Sequence, residues 1–119
     1  MITSGRFNSS ENLIYASAEV YGPGGSVLAK LALDTGATIT ILSSNVILGA
    51  GYDLATGNEV RIVTGSAVPT ARELVITRLD AIGQSVKDLY VVCHDLPDES
   101  GLDGLLGLNF LRKFDTVLL

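Results

Sequence analysis

Short apolar runs cut by glycine and proline limit this chain more than any other feature. Asn12 to Tyr21 alternates, with Ile14, Ala16, Ala18 and Val20 on one face and Tyr15, Ser17 and Glu19 on the other. That is the period of a strand with one buried side. Gly22-Pro23-Gly24-Gly25 breaks it, because glycine permits positive φ and proline lacks a ladder donor. Ser26 to Leu33 resumes the pattern, so the two runs predict a hairpin with a four-residue turn. Thr38 to Leu42 is a short β-branched run, and Ser43-Ser44 caps a predicted helical turn through Leu48, ended by Gly49 and Gly51. Extended runs follow at Glu59 to Val63, Ala71 to Leu79 and Ser85 to Cys93, with the small, polar Thr64-Gly65-Ser66-Ala67-Val68-Pro69 suited to a hairpin tip.

Asp95 to Gly104 reads as a loop, rich in Asp, Pro, Ser and Gly. Gly107, Phe110, Leu111 and Phe114 then fall at i, i+3, i+4 and i+7, the stripe of a short helix. Arg112 and Lys113 sit at its end, where cations suit the helix dipole. Asp115 to Leu119 predicts a last strand. Six or seven short strands, one helix and no repeat or linker predict an all-β domain over residues 1–119, a closed barrel or sandwich.

Composition removes several function classes. With 119 residues, 47% of them hydrophobic, the chain is long and apolar enough to bury a core without staples. Eight Lys and Arg against 13 Asp and Glu give a net charge of −5 and no basic stripe to neutralise phosphates, so no nucleic-acid partner is expected. The uncharged Ile39 to Tyr52 falls short of a membrane span and carries Thr, Ser, Asn and Gly, so no membrane segment is expected. Met1 to Ser10 lacks the basic-then-apolar order of a signal peptide. One cysteine excludes an internal disulfide, and Cys93 with His94 cannot furnish a zinc site alone.

The most informative segment is Leu31-Ala32-Leu33-Asp34-Thr35-Gly36-Ala37-Thr38-Ile39. An acidic residue between two apolar strands must be hydrogen-bonded or paired if those strands are buried. A turn aspartate accepting backbone N–H bonds satisfies that requirement, and the tripeptide Asp-Thr-Gly does not by itself select anything more specific. Elsewhere the signals are weaker. Gly22-Pro23-Gly24-Gly25-Ser26 lacks the Lys-Ser/Thr of a phosphate loop, and there is no Gly-x-Ser-x-Gly for His94 to serve. His94 reads as a loop residue, Cys93 as a buried small hydrophobe, and Asp98, Glu99 and Asp103 as solvated surface. Asp103 is a conceivable second carboxylate, although its place beside Gly104 suits a turn.

The flanks of Asp34, Leu31-Ala32-Leu33 and Ala37-Thr38-Ile39-Thr40-Ile41, resemble the active-site loop of retropepsin-like aspartic proteases. Gly104-Leu105-Leu106-Gly107-Leu108-Asn109-Phe110-Leu111 resembles the segment that packs behind that loop and opens the family's helix. The order agrees, with the hairpin around Thr64 to Val68 between the two, and the resemblance runs from about Asn12 to Leu119. It implies a closed β-barrel or sandwich with one short C-terminal helix and a flap hairpin. It also implies catalysis by Asp34, with Thr35, Gly36 and Ala37 supporting the loop and Leu105, Leu106, Gly107 and Asn109 forming the structural second motif. Thr64, Gly65 and Ser66 would be the flap that binds an extended peptide or protein substrate, and Ile62, Val63 and Val68 would line subsites. Neither a cofactor nor a metal is implied.

Retroviral members place an Asp two residues beyond the loop glycine and an Arg just after the second-motif glycine. Here those positions hold Thr38 and Leu108, so the chain is more similar to bacterial and cellular members. Family members are often parts of larger or membrane-anchored chains, so cytoplasmic residence and excision from such a chain are both open. Carboxylate-driven peptide hydrolysis needs two carboxylates, and one copy of the motif implies a homodimer sharing a site on its two-fold axis. The alternative is the same fold kept as a catalytically weak or silent dimerisation or peptide-binding module.

Overall fold

The computed structural model describes residues 14–56, 58–61 and 70–114. The expected flap tip at Thr64, Gly65 and Ser66, the subsite residues Ile62, Val63 and Val68, and the expected last strand Asp115 to Leu119 lie outside these residues.

Seven strands and two short helices are described: β1 (Tyr15–Gly22), β2 (Gly25–Leu33), β3 (Thr40–Leu42), α1 (Ser44–Gly49), β4 (Asn58–Arg61), β5 (Thr70–Ala81), β6 (Gln84–Cys93), β7 (Gly104–Leu106) and α2 (Leu108–Leu111). The strand order is β1-β2-β7-β3-β6-β5-β4, and β1 also pairs with β5. That extra pairing closes β1, β2, β7, β3, β6 and β5 into a six-stranded barrel, with β4 outside it on β5. Closure leaves no free edge within the ring. The all-β barrel expected from the spacing of turns is therefore present.

The hairpins follow the sequence closely. β1 and β2 pair antiparallel from Tyr15–Ala32 to Gly22–Gly25, with Pro23-Gly24 as the turn. Ala18 and Val20 face the core as the alternation predicts, but Ile14 is 63% exposed and precedes the strand. β5 and β6 pair over the longest ladder, from Arg72–Cys93 to Ala81–Gln84. Ser43 caps α1 by accepting from the Val46 N–H.

Three elements depart from the sequence reading. β3 begins at Thr40 rather than Thr38, because the carbonyls of Ala37 and Thr38 accept from the N–H groups of Leu108 and Asn109 instead of joining a ladder. β7 was not expected at all. It is three residues long and pairs parallel to β2 and antiparallel to β3. Three residues carry no readable period. The predicted helix is also shorter, since α2 ends at Leu111 and Arg112–Phe114 continue as a 3₁₀ turn, with Arg112 and Lys113 exposed at its end.

The core fills the barrel and extends beneath both helices. Val20, Leu31, Leu42, Ile76, Leu79, Val91 and Leu106 meet there with Ile47 of α1 and Phe110 and Leu111 of α2. At one end Tyr52 ties three segments together. Its hydroxyl donates to the Tyr21 carbonyl and accepts the Thr77 N–H at 2.8 Å. On the outer wall, Asp80 accepts from both Arg78 Nε and Nη2 at 2.8 Å. The Arg78 guanidinium holds that carboxyl below its usual range, with the Ser85 hydroxyl adding to the effect. This pair is partly solvated, so it contributes little to stability.

Tyr52→Phe removes one donor and one acceptor from the segment that joins the β1–β2 hairpin to β5. Because Thr77 is exposed and water can replace the lost partner, the expected cost is about 1 kcal/mol. Urea unfolding should show a lower midpoint with an unchanged slope.

Candidate active site

Asp34 follows β2 directly, where the chain leaves the barrel and turns back toward β3. Its N–H donates to the Leu106 carbonyl at 3.1 Å, and its own carbonyl accepts the Ala37 N–H at 3.1 Å, which closes a tight turn over Thr35 and Gly36. The Gly36 N–H donates to Asp34 Oδ1 at 2.8 Å. The carboxylate is thereby aimed by its own loop while the residue remains partly exposed, and Thr35 and Gly36 are exposed beside it. Ala37 is half-buried and brings no side-chain donor.

The second motif lies against this loop. Leu106 and Gly107 are buried, and Leu105 and Asn109 are half-buried. The Leu108 N–H reaches the Ala37 carbonyl at 2.8 Å, and the Asn109 N–H reaches the Thr38 carbonyl at 3.1 Å. Glycine is required where the backbones cross. A Cβ on Gly107 would sit 2.6 Å from the Ile39 carbonyl and 2.9 Å from the Ala37 oxygen. A Cβ on Gly104 would sit 2.0 Å from the Ile41 oxygen. Thr38 is exposed and Leu108 half-buried at the two positions where the retroviral charges would stand.

The structure adds a residue that the sequence reading passed over. Thr40 is fully buried, and a hydroxyl there must be paired. It donates to Asn109 Oδ1 at 2.8 Å and accepts the Gly107 N–H at 3.1 Å. Asn109 Oδ1 also accepts the Thr40 N–H at 2.9 Å, while its Nδ2 donates to the Tyr90 carbonyl at 2.6 Å. The amide orientation follows from this network, since a main-chain donor faces one end and a carbonyl the other. A threonine flanked by Ile39 and Ile41 in an apolar strand was the available signal. Nearby, the Tyr90 hydroxyl bonds Glu73, and that carboxylate raises the phenol above its usual range.

The weaker candidates stay apart from this arrangement. Cys93 is buried at the end of β6, and burial pushes its thiol up. The His94 N–H donates to the Leu42 carbonyl, extending the β3–β6 ladder. Asp103 is engaged in structure: its carboxylate accepts the Lys30 N–H at 2.8 Å and its own N–H returns to the Lys30 carbonyl. Asp98 and Glu99 are exposed on a 3₁₀ turn. Among the described residues no group of three or more His, Cys, Asp and Glu is placed to hold a metal ion, and no helix is long and apolar enough to cross a membrane.

Similarity to known proteins is found at the level of the family and of the fold. A family model described as aspartyl protease matches residues 17–110, a span that includes the Asp34 loop and most of the second motif. Among solved structures, a retropepsin-like aspartic protease from Rickettsia conorii superposes with a TM-score of 0.64 at 24% identity. The match covers 87% of this chain and 73% of that one. No curated protein matches.

Gly107→Ala forces a methyl group into main-chain atoms that cannot rotate away. The expected cost is about 3 kcal/mol or more. Thermal and urea unfolding should both show it, and the proton resonances of Ala37 and Thr38 should shift with it.

Proposed function

The chain belongs to the aspartyl protease family, and we propose that it is the protomer of a homodimeric endopeptidase whose water is activated between two Asp34 carboxylates. The observation that carries the reading is the single Asp34, partly exposed at the barrel rim and oriented by the Gly36 N–H. One carboxylate cannot both take a proton from water and give one to the substrate carbonyl. A second copy related by a two-fold axis supplies the other.

Two carboxylates about 3 Å apart repel by roughly 5 kcal/mol at an effective dielectric near 20. That corresponds to about four pK units, so such a pair holds one shared proton over a broad pH range. In the proposed cycle the ionised Asp34 takes a proton from water as its oxygen bonds to the scissile carbon, and the protonated Asp34 gives its proton to the carbonyl oxygen. The tetrahedral diol then collapses. Its hydroxyl proton returns to one carboxylate, the amide nitrogen receives a proton from the other, and the C–N bond breaks. Charge and protons balance, and the dyad ends with the one proton it began with.

The supporting roles follow the family resemblance. Thr35 would exchange hydrogen bonds with its mate across the axis, for which its exposure is suited. Gly36 would let the substrate backbone approach without a side chain in the way. Thr64, Gly65 and Ser66 would bind the peptide main chain, with Ile62, Val63 and Val68 supplying apolar subsites.

Cleavage of a mixed peptide library tests this between about pH 3 and pH 8, at several protein concentrations. Specific activity should rise with concentration, as a shared site requires. Asp34→Asn should abolish it. Equal inertness of both proteins where sizing shows a dimer would leave the silent peptide-binding module as the better description.

Ala37 brings no hydroxyl to stabilise the charged form of the pair, so the optimum should lie nearer neutral pH than in pepsin-like enzymes. A rate profile peaking below about pH 3 would contradict this mechanism.

A further inference from the structure

β3 and β7 pair at Ile41–Leu105 and Leu42–Gly104, and then the two chains part. One runs back through the Asp34 loop and the other forward into α2. The β3–β7 ladder ends at that fork, and three isolated main-chain bonds together with one side-chain acceptor, Asn109 Oδ1, take its place. Between Asp34 and β3 the backbone is held at Asp34 N, Ala37 O, Thr38 O and Thr40 N, and all four partners belong to Leu106, Leu108 and Asn109. The base that carries the loop is therefore the 106–109 segment. That base is fastened from its other side by the bond from Asn109 to the Tyr90 carbonyl on β6 and by the Gly107 N–H on Thr40.

We propose that Thr40 and Asn109 are positioning residues for the reaction, setting the height and separation of the two Asp34 carboxylates as well as stabilising the fold. The inference rests on the shared-dyad reading above. Carboxylates that share a proton push on the loops that bear them, and the push falls as they separate. A loop held by short, fully paired bonds keeps them close, whereas a slack one lets them relax apart. Thr40 is fully buried, so it acts through the loop. It fills every hydrogen-bonding role a threonine side chain must fill there, giving to Asn109 and accepting from Gly107.

Thr40→Val keeps the shape of the side chain and removes the hydroxyl, while Thr40→Ser keeps the hydroxyl. Thr40→Val should lower kcat tenfold or more with KM changed less than threefold. Its bell-shaped pH profile should narrow by about one unit for each ~1 Å of added separation between the carboxylates. Thr40→Ser should restore kcat to within threefold of the parent. Tyr52→Phe serves as a stability control, since its hydroxyl bonds lie away from the loop, and should leave kcat and the bell unchanged. Thr40→Val behaving like Tyr52→Phe would overturn the proposal.

Amide hydrogen exchange in the Asp34→Asn background gives a second arm independent of turnover. Thr40→Val should speed exchange tenfold or more at Ala37, Leu108 and Asn109, with Tyr52→Phe leaving them unchanged. Equal exchange in the two variants would overturn the proposal even if activity fell. Faster exchange in Thr40→Val together with an inert parent protein would support the pin and count against the protease reading.

Discussion

The short segment Gly104–Asn109 governs the rest of this structure because three requirements meet in it. Its first half, β7, fills the gap between β2 and β3 and so completes the barrel. Its second half passes close under the Asp34 loop, giving N–H groups to the carbonyls of Ala37 and Thr38. Its last residue joins the loop to β6 through one amide side chain. Two backbones can cross this closely only where Cβ atoms are missing, and the clashes that a methyl would meet at Gly104 and Gly107 are with main-chain oxygens. Rotamer changes cannot relieve such contacts.

The polar atoms beneath the site are arranged to the same end. Loops that leave a barrel expose main-chain groups, and a buried group without a partner costs about 1–3 kcal/mol. Here the unpaired ladder positions around Thr40 are met by the Thr40 hydroxyl and the Asn109 amide. No buried side-chain N or O atom among the described residues lacks a partner. A loop held from below at the Asp34 N–H and at the Ala37 and Thr38 carbonyls presents Asp34 and Gly36 above. Rigidity under the loop and exposure over it are the two properties that carboxylate chemistry asks of such a turn.

Much of this was legible in the residues, for identifiable reasons. The β1–β2 hairpin follows from alternation on either side of Gly22-Pro23-Gly24-Gly25, and β5 and β6 contain the extended runs Ala71 to Leu79 and Ser85 to Cys93. These are local patterns, in which partners lie near each other in sequence. β7 escaped notice because three residues are too few to show a period, and its partners in β2 and β3 are far away along the chain. Ile14 was assigned to a buried face by the alternation, yet the strand begins after it and leaves it exposed. The start of β3 moved for a similar reason, since distant N–H groups captured the carbonyls of Ala37 and Thr38.

By itself the sequence determined the all-β character, the β1–β2 hairpin and the place of Asp34 at the end of an apolar strand, because alternation and turn residues act over a few positions. The aspartate loop and the Gly104–Leu111 motif were each visible as segments. Their meeting was decided only by the tertiary structure. Thr40 and Asn109 stand far apart in the chain; the resemblance marks Asn109 as part of the second motif, but Thr40 alone looks like no more than a polar residue among apolar neighbours. Barrel closure places one against the other, and the cost of burying a hydroxyl and an amide without partners then leaves the observed network as the low-energy arrangement.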